Sequence, residues 1–491
     1  MTDDGAKPVI VWFRDDLRLS DNPALMAAAE SASPLLPVYI LDDETPGNWR
    51  LGGAARWWLH NSLAALGKDI ARTGARLVLR RGQATTAIQS LVRETGARAV
   101  FWNRRYEPFA TAQDDTLSRE LQRAGVEVRT FCASVLFEPG SLHTREGKSF
   151  RVYGAFWRAC LEAGVSDLPL AAPRKLCTGP AVSSDELDSW HLRPERPNWA
   201  RGFEAQWAPG EQEARQRLTK FIDQCIGEYA RHRDRPDLAS TSQLSPHLRF
   251  GEISPRQVWH AVLAAHSAGL VPRPAADKFL SELGWREFAY HLLYHHAALP
   301  DEPLQAQFAR FPWQADPRHL AAWQQGRTGY PIVDAGMREL WTTGWMHNRV
   351  RMIVASFLVK HLLVRWQEGE SWFWDTLVDA DLANNAVNWQ WVAGCGADAA
   401  PYFWIFNPVL QGEKFDPDGR YVRRWLPAIA ALPDSYIHKP WTAPEAVRLA
   451  AAVTLDKHYP APIVDHAMAR RRALDAFARL KTRQQVDETG D

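Results

Sequence analysis

Apolar runs and helix-spaced stretches alternate through the first third of the chain. The runs are Val9–Phe13, Leu35–Leu41, Arg76–Leu79, Ala99–Trp102 and Val126–Phe131, and the stretches between them are Pro23–Ser31, Gly53–Arg72, Ala84–Thr95 and Ala112–Ala124. Near-continuous apolar runs suit strands covered on both faces, and crossovers of this length suit helices, so the pattern predicts βαβ units in a doubly wound, parallel, five-stranded sheet. The first run leads into Arg14-Asp15-Asp16-Leu17-Arg18. That is not the glycine-rich turn of a dinucleotide cradle, so a ligand in this domain would be held by another device.

From Cys132 to Gly210 the periodicity dissolves and prolines accumulate at 169, 173, 180, 194, 197 and 209. This predicts a long connector over the surface, with one helical piece at Tyr153–Ala163. Beyond it helical spacing dominates, over Glu211–Tyr229, Arg256–Ala268, Ala276–His295, Pro331–Thr342, Arg349–Trp366 and Ser371–Val378. The expected organisation is an α/β domain over residues 1–132, a connector over 133–210, a mainly α-helical domain over 211–480 and a charged tail over 481–491.

At 491 residues two domains are expected, and 46% hydrophobic with 23% charged residues suits a soluble globular protein. No stretch reaches the roughly 20 apolar residues of a membrane helix. Met1–Lys7 is polar rather than a secretory signal, which leaves the bacterial cytoplasm, with the nucleoid, as the expected location. The five cysteines are scattered with no CxxC pair, which argues against a metal site or a disulfide framework and for reduced, mostly buried thiols. A net charge of +1 requires any nucleic-acid contact to come from a local basic patch. Twenty-three tryptophans, fourteen of them from Trp259 onward, suggest either a Trp-rich core or a protein that stacks rings and moves electrons.

Five polar and aromatic segments interrupt the helical half. Thr241-Ser242-Gln243-Leu244-Ser245, after Tyr229 and Arg233, offers hydroxyls and amides for phosphate oxygens, or a plain capping turn. Glu282, Trp285, Arg286 and Phe288 share a helical pattern that equally describes a salt-bridged surface. In Gly344–Met352 the spacing puts Asn348 and Met352 on one face, with Arg349 beside Met352 and Arg351 turned away from Arg349. Asp379–Trp391 packs two acids, three asparagines and two tryptophans into thirteen residues, able to bond the edge and stack the face of a flat heterocycle. Pro401–Phe415 continues that texture. Together they suggest a pocket for a large aromatic cofactor with a phosphate tail. No nucleophile–base pair accompanies it, so the cofactor would carry the chemistry.

These segments, from VIVWFRDDLRLSDNPAL through WQWVAGCGADAAPYF to GEKFDPDGRYVRRWLP, resemble the photolyase/cryptochrome family over nearly the whole chain. The resemblance implies an α/β antenna domain, a connector and a helical FAD domain. It implies light-driven repair of cyclobutane pyrimidine dimers in UV-damaged DNA, by electron transfer from excited, reduced, anionic FAD to a flipped-out dimer. Position by position it assigns Tyr229, Thr241, Ser242, Leu244 and Ser245 to the FAD pyrophosphate, and Arg286, Asn348, Arg351, Asp379 and Asp381 to the folded FAD and its ring edge, with Asn385 opposite the redox-active nitrogen. Glu282, Trp285, Asn348, Met352 and Trp391 match the dimer pocket, Arg233 and Arg349 match DNA-phosphate contacts, and Trp389, Trp366 and Trp313 match an electron relay.

Asn385 and Met352 stand where repair enzymes differ from plant cryptochromes, and Met346-His347-Asn348 departs from the paired histidines of (6-4) photolyases. The pattern is most like the bacterial class I and class III groups, which it does not separate. A blue-light signalling cryptochrome and, less favoured, a (6-4) photolyase are the alternatives. Trp404 replaces an arginine that many relatives use on DNA. An indole cannot neutralise a phosphate, so that grip on the backbone is expected to be missing or replaced by stacking. The expected antenna is methenyltetrahydrofolate, with a deazaflavin or no chromophore as alternatives, because Tyr106-Glu107-Pro108 does not reproduce an Asn-Glu folate pair. A monomer without metal is expected.

Overall fold

A computed structural model describes residues 7–399, 401–402 and 404–489, with side chains described to residue 480. The sheet has strands β1 (Val9–Phe13), β2 (Leu35–Leu41), β3 (Val78–Arg81), β4 (Ala99–Asn103) and β5 (Glu127–Phe131), in the order β3-β2-β1-β4-β5, all parallel. Period-two alternation splits its side chains between two cores. Ile10, Trp12, Val38, Ile40, Val100 and Trp102 turn to one face, and Val9, Val11, Phe13, Tyr39, Leu41 and Phe101 to the other. Helices α1 (Pro23–Glu30) and α2 (Gly53–Arg72) cover the second face, and α3 (Ala84–Thr95) and α4 (Pro108–Arg123) the first. Winding one way from β1 to β3 and the other to β4 and β5 puts the topological switch point between β1 and β4.

The connector is tacked to this unit rather than free of it. Its Cys177 carbonyl accepts the Leu35 amide at 2.8 Å, and its helix α5 (Tyr153–Ala163) packs on a long helix of the second half, α6 (Arg273–His295). Buried polar contacts join the halves. Glu252 accepts the Trp58 indole N–H at 3.0 Å and pairs closely with His247, and Arg249 reaches Asp15 behind β1 at 2.9 Å.

The helical half departs from the sequence expectation in three places. Glu211–Tyr229 breaks after Gln224. Arg349–Trp366 is not one helix: α7 (Asn348–Ser356) widens into a π-turn at Phe357–His361, and Leu363 takes φ +54° before α8 (Trp366–Thr376) begins. Every residue from Phe357 to Val364 is buried, so the apolar pattern runs through the break without marking it. Helix α9 (Leu382–Ala393) follows. The last helix, His466–Thr489, covers most of the expected tail, and Gly490 and Asp491 lie outside the described residues. Only Cys160 and Cys395 are buried; Cys132 and Cys225 are half-buried and Cys177 is exposed, so burial does not hold for most of the thiols. No helix among the described residues is long and apolar enough to cross a membrane.

Candidate active site

Four long helices, two short ones and the loops between them converge on a cavity of about 480 Å³. Helix α6 contributes Lys278, Glu282, Trp285 and Arg286, spaced so that one face points inward. From α7 come Asn348, Arg351, Met352 and Ala355, the i, i+3, i+4, i+7 stripe of a single face. The turn Asp379–Asp381 and helix α9 supply Asp379, Asp381, Asn384, Asn385, Asn388, Trp389 and Trp391, and Phe373 comes from α8. Tyr229, Arg233, Ser242, Leu244, Ser245 and Arg249 close the remaining side.

Local chemistry fixes these elements. Asp381 caps α9, accepting the Asn384 backbone and side-chain N–H groups at 2.8 and 2.7 Å, while its other oxygen accepts the Tyr290 hydroxyl. His347 caps α7, its Nδ1 accepting the Arg349 amide at 3.2 Å. That role needs a neutral ring, and burial pushes the imidazole down to about 4. Arg351 donates to Asp379 Oδ2 and to the Met346 carbonyl, both at 2.7 Å. Asp379 Oδ1 is buried with no partner among the described residues, an acceptor that suits a donor from a bound group. Arg286 donates to the Ser134 carbonyl at 2.7 Å with its guanidinium 4.7 Å from the Tyr290 ring centre. The Asn385 amide nitrogen donates to the Glu370 carbonyl at 3.0 Å, which orients the carboxamide.

At the mouth, the Glu282 carboxylate accepts a close hydrogen bond from Arg233 and one from Lys278 at 3.1 Å. Arg349 lies off the α7 stripe. It bonds Asp234 at 2.8 Å, and its guanidinium sits 4.5 Å from the Phe415 ring centre. Trp285 and Trp391 stand in the wall, and the outer face of Trp285 is stacked by Tyr153. Trp389 stands in the cavity wall and Trp366 behind it, both buried in one core, against whose edge Trp313 packs. The Trp389 ring lies against Gly369, where any Cβ would fall 2.1 Å from it, so α8 and α9 approach this closely only with glycine there.

The structure thus brings together Tyr229, Ser242, Leu244, Ser245, Arg286, Asn348, Arg351, Asp379, Asp381 and Asn385 of the expected cofactor set, and Arg233, Glu282, Trp285, Asn348, Met352 and Trp391 of the expected substrate set. Thr241 and Arg349 are not part of the lining, and Trp366 and Trp313 stand behind it. Asn384 and Asn388, expected only as part of the Asp379–Trp391 amide cluster, line the cavity as well, and missed from the sequence were Arg249, Lys278 and Glu370. The first two share helical spacing with the expected Ser245 and Glu282, the signal that marks them. Glu370 is fully buried on α8, neither carboxylate oxygen has a partner among the described residues, and burial holds it well above the usual carboxylate range. Nothing in a single sequence distinguishes such an acid from a surface glutamate.

At the switch point, Asp15 and Asp16 after β1 and Asn103–Glu107 after β4 meet Arg249, Arg286 and Tyr290 around only about 10 Å³ of free space. Arg105 bonds Asp15 and Glu107 at 3.0 and 2.8 Å, and burial of Glu107 is overcome by Arg105, which holds its carboxyl down at about 2. The crevice is filled by the chain's own ion pairs, with room for about one water molecule. Trp404 is 56% exposed, and its carbonyl accepts a hydrogen bond from the buried Lys360 at 3.1 Å.

Residues 9–174 match the family model described as DNA photolyase, and residues 279–479 the one described as FAD binding domain of DNA photolyase. The chain is 52% identical over 478 residues to the deoxyribodipyrimidine photo-lyase of Agrobacterium fabrum, covering 96% of this chain and 98% of that one. It is 40% identical to Cryptochrome-1 of Arabidopsis thaliana over 96% of this chain and 70% of that one. Among solved structures, a bacterial class III photolyase from Agrobacterium tumefaciens superposes with a TM-score of 0.94 at 51% identity, covering 97% of this chain and 98% of that one. A Synechocystis cryptochrome superposes with a TM-score of 0.87 at 28% identity, covering 96% and 99%.

Proposed function

This chain belongs to the DNA photolyase family and is an FAD-dependent DNA-repair enzyme, and from that premise we propose how its own residues carry out light-driven repair of cyclobutane pyrimidine dimers. One observation carries the reading: the cofactor-type amides and acids of Asp379–Asn388 and the substrate-type wall of Glu282, Trp285, Met352 and Trp391 open into the same cavity. A flavin held by the first set would touch a base held by the second, without an intervening layer of water.

The residues fit FAD. Ser242, Ser245 and Tyr229 offer donors to a pyrophosphate, and Arg351 and the unpartnered Asp379 Oδ1 suit the donor–acceptor edge of a flavin ring. When bound and reduced, FAD supplies an electron on absorbing light. The protein does the rest. Trp285 and Trp391 exclude water and receive the flipped dimer, whose poor stacking lowers the cost of extrusion. Glu282, after releasing Arg233 or Lys278, accepts a hydrogen bond from a ring N–H beside the dimer carbonyl, and those freed cations, with Arg349, meet the flanking phosphates. Trp389, Trp366 and Trp313 would pass electrons inward from an external reductant at the surface to oxidised flavin.

Three finer assignments follow the same reading. The protein is of class III rather than class I, supported by 51–52% identity to the Agrobacterium proteins. Its antenna is methenyltetrahydrofolate. A deazaflavin, or any ring-sized group, has no room in the switch-point crevice, so the antenna sits elsewhere. The enzyme acts as a monomer in the bacterial cytoplasm.

The test is repair of a thymine dimer in a short oligonucleotide by purified, chemically reduced protein. Recovery of thymine absorbance in blue light and none in darkness is the expected result. A flavin-loaded protein that leaves the dimer intact in both conditions would overturn the reading in favour of light signalling.

A further inference from the structure

Helix α5 belongs to the proline-rich connector, yet it reaches the active-site wall. The Tyr153 ring lies parallel to the Trp285 indole, 9° between planes and 3.7 Å between ring centres. Trp285 lines the cavity and Tyr153 does not, so the tyrosine covers the indole face opposite the cavity side. Two hydrogen bonds clamp it: its hydroxyl donates to the Ser281 carbonyl at 2.6 Å, and its backbone N–H to Asp398 at 3.1 Å. Trp157, one turn on, lies nearly parallel behind it, 6.4 Å away at 11°. Gly284 permits that approach, since a Cβ there would fall 2.4 Å from the Trp157 ring. The other wall, Trp391, has no ring partner of this kind among the described residues.

Docking of α5 does not rest on this contact alone. Phe156 and Cys160 are buried in a core with Phe288, Leu292 and Leu293, and the half-buried Tyr153 packs at the edge of that core. A tyrosine at the rim of its helix's contact, clamped at both ends against a wall residue, is placed for what that wall does.

We propose that Tyr153 is a positioning residue for damage recognition: its stack on the outer face of Trp285 locks that indole as the platform for the flipped dimer and raises the preference for dimer over intact DNA. The inference rests on the reading of this cavity as the dimer pocket. An indole at the mouth of a cavity must surrender rotamer freedom when a ligand stacks on it. Tyr153 removes that freedom beforehand, so the loss no longer weakens binding. Intact duplex, which leaves its bases stacked and touches the rim through phosphates, gains nothing from a fixed indole. The effect is therefore on discrimination and not on general DNA affinity.

The experiment compares full-length, flavin-loaded, reduced wild type with Tyr153→Phe and Tyr153→Leu. Dissociation constants are measured in darkness for a duplex with one thymine dimer and for the same duplex undamaged, and repair per absorbed photon is measured at saturating dimer. Tyr153→Leu is expected to weaken dimer binding about five- to tenfold, the value of one aromatic stack, while intact-duplex affinity and saturated yield stay at wild-type levels. Tyr153→Phe, which keeps the ring, restores the wild-type ratio. Tyr153→Met carries the same expectation should the leucine variant not fold. A wild-type ratio in Tyr153→Leu, equal losses on both duplexes, or a phenylalanine variant as poor as the leucine one would each overturn the proposal. Wild type without dimer preference defeats the functional reading and this proposal together, whereas equal preference in wild type and Tyr153→Leu defeats this proposal alone.

Discussion

Single residues at this site are held ready, and several must change partners before they act. Asp379 has one oxygen on Arg351 and the other buried and unpaired, a geometry that a bound group completes. Glu282 is the opposite case, its carboxylate already shared by Arg233 and Lys278. Removing it with Glu282→Ala is expected to lower repair about tenfold, the scale of one charge-assisted hydrogen bond, with flavin content unchanged. Unaltered repair would take Glu282 out of the mechanism. His347 acts through its neutral form, capping the helix that presents Asn348, Arg351 and Met352. Its value falls from the ordinary 6.5 to about 4 through burial, with Asp234 pulling weakly the other way. The unfolded chain therefore binds more protons between those values. The stability tied to His347 is complete above pH 6.5 and is lost as pH falls towards 4. His347→Asn keeps a capping acceptor that does not titrate. The stability gap between wild type and this variant should shift against wild type by up to about 3 kcal/mol over that window. Urea unfolding at both pH values measures it, and a gap that ignores pH would refute the assignment. Glu339, which accepts the His347 amide at 3.3 Å and is pushed up to about 7 by burial, contributes the opposite slope in both proteins.

At the scale of elements, spacing and close approach decide the site. Helix α7 offers one stripe to the cavity and leaves Arg349, a hundred degrees round, to the mouth. Helices α8 and α9 touch at Gly369 and Trp389, which puts the first tryptophan of the relay in the cavity wall and the second, Trp366, at the start of the neighbouring helix in the same core. A phenyl ring fills most of that space but is far harder to oxidise than an indole. Trp366→Phe is therefore expected to block light-driven reduction of oxidised flavin while repair by chemically reduced protein stays within about twofold, because buried volume is nearly kept. Parallel loss of both activities would remove Trp366 from the relay. The π-turn after α7 carries Lys360, which bonds the Trp404 carbonyl and so links the cavity's helix to the exposed loop at Trp404.

For the molecule as a whole, 58 basic residues against 57 acidic ones leave no global field to draw DNA in. Affinity must come from a few rim cations that now rest on carboxylates: Arg233, Lys278 and Arg349. Arg349→Ala should weaken damaged and intact duplex alike and reduce the slope of log affinity against log salt by about 1. Titrations at several salt concentrations measure this, and a loss confined to damaged DNA would place Arg349 in the dimer pocket instead. Trp404, exposed and uncharged, adds no unit to that slope.

The sequence by itself determined the strands β1 and β2, the helices α2, α3 and α5, and the polar character of Asp379–Trp391. Each is a local matter, of period-two or period-3.6 spacing over a few residues, and local spacing survives in one dimension. It also determined most of the cavity lining, because Asn348, Arg351 and Met352, or Asn384, Asn385 and Asn388, share a face wherever their helix lies. The break at Phe357–Leu363 was not legible, since a segment buried on all sides keeps its apolar pattern whatever path its backbone takes. Nor were the contacts between distant segments: Tyr153 on Trp285, Arg249 on Asp15, or the burial of Glu370 behind Asn385. Which surfaces meet is set by packing between segments that lie from fifteen to more than two hundred residues apart in the chain, and no residue's neighbours in sequence record it. Tertiary structure alone decided that the connector backs the active-site wall, through Tyr153 on Trp285, and that ion pairs occupy the sheet's crevice.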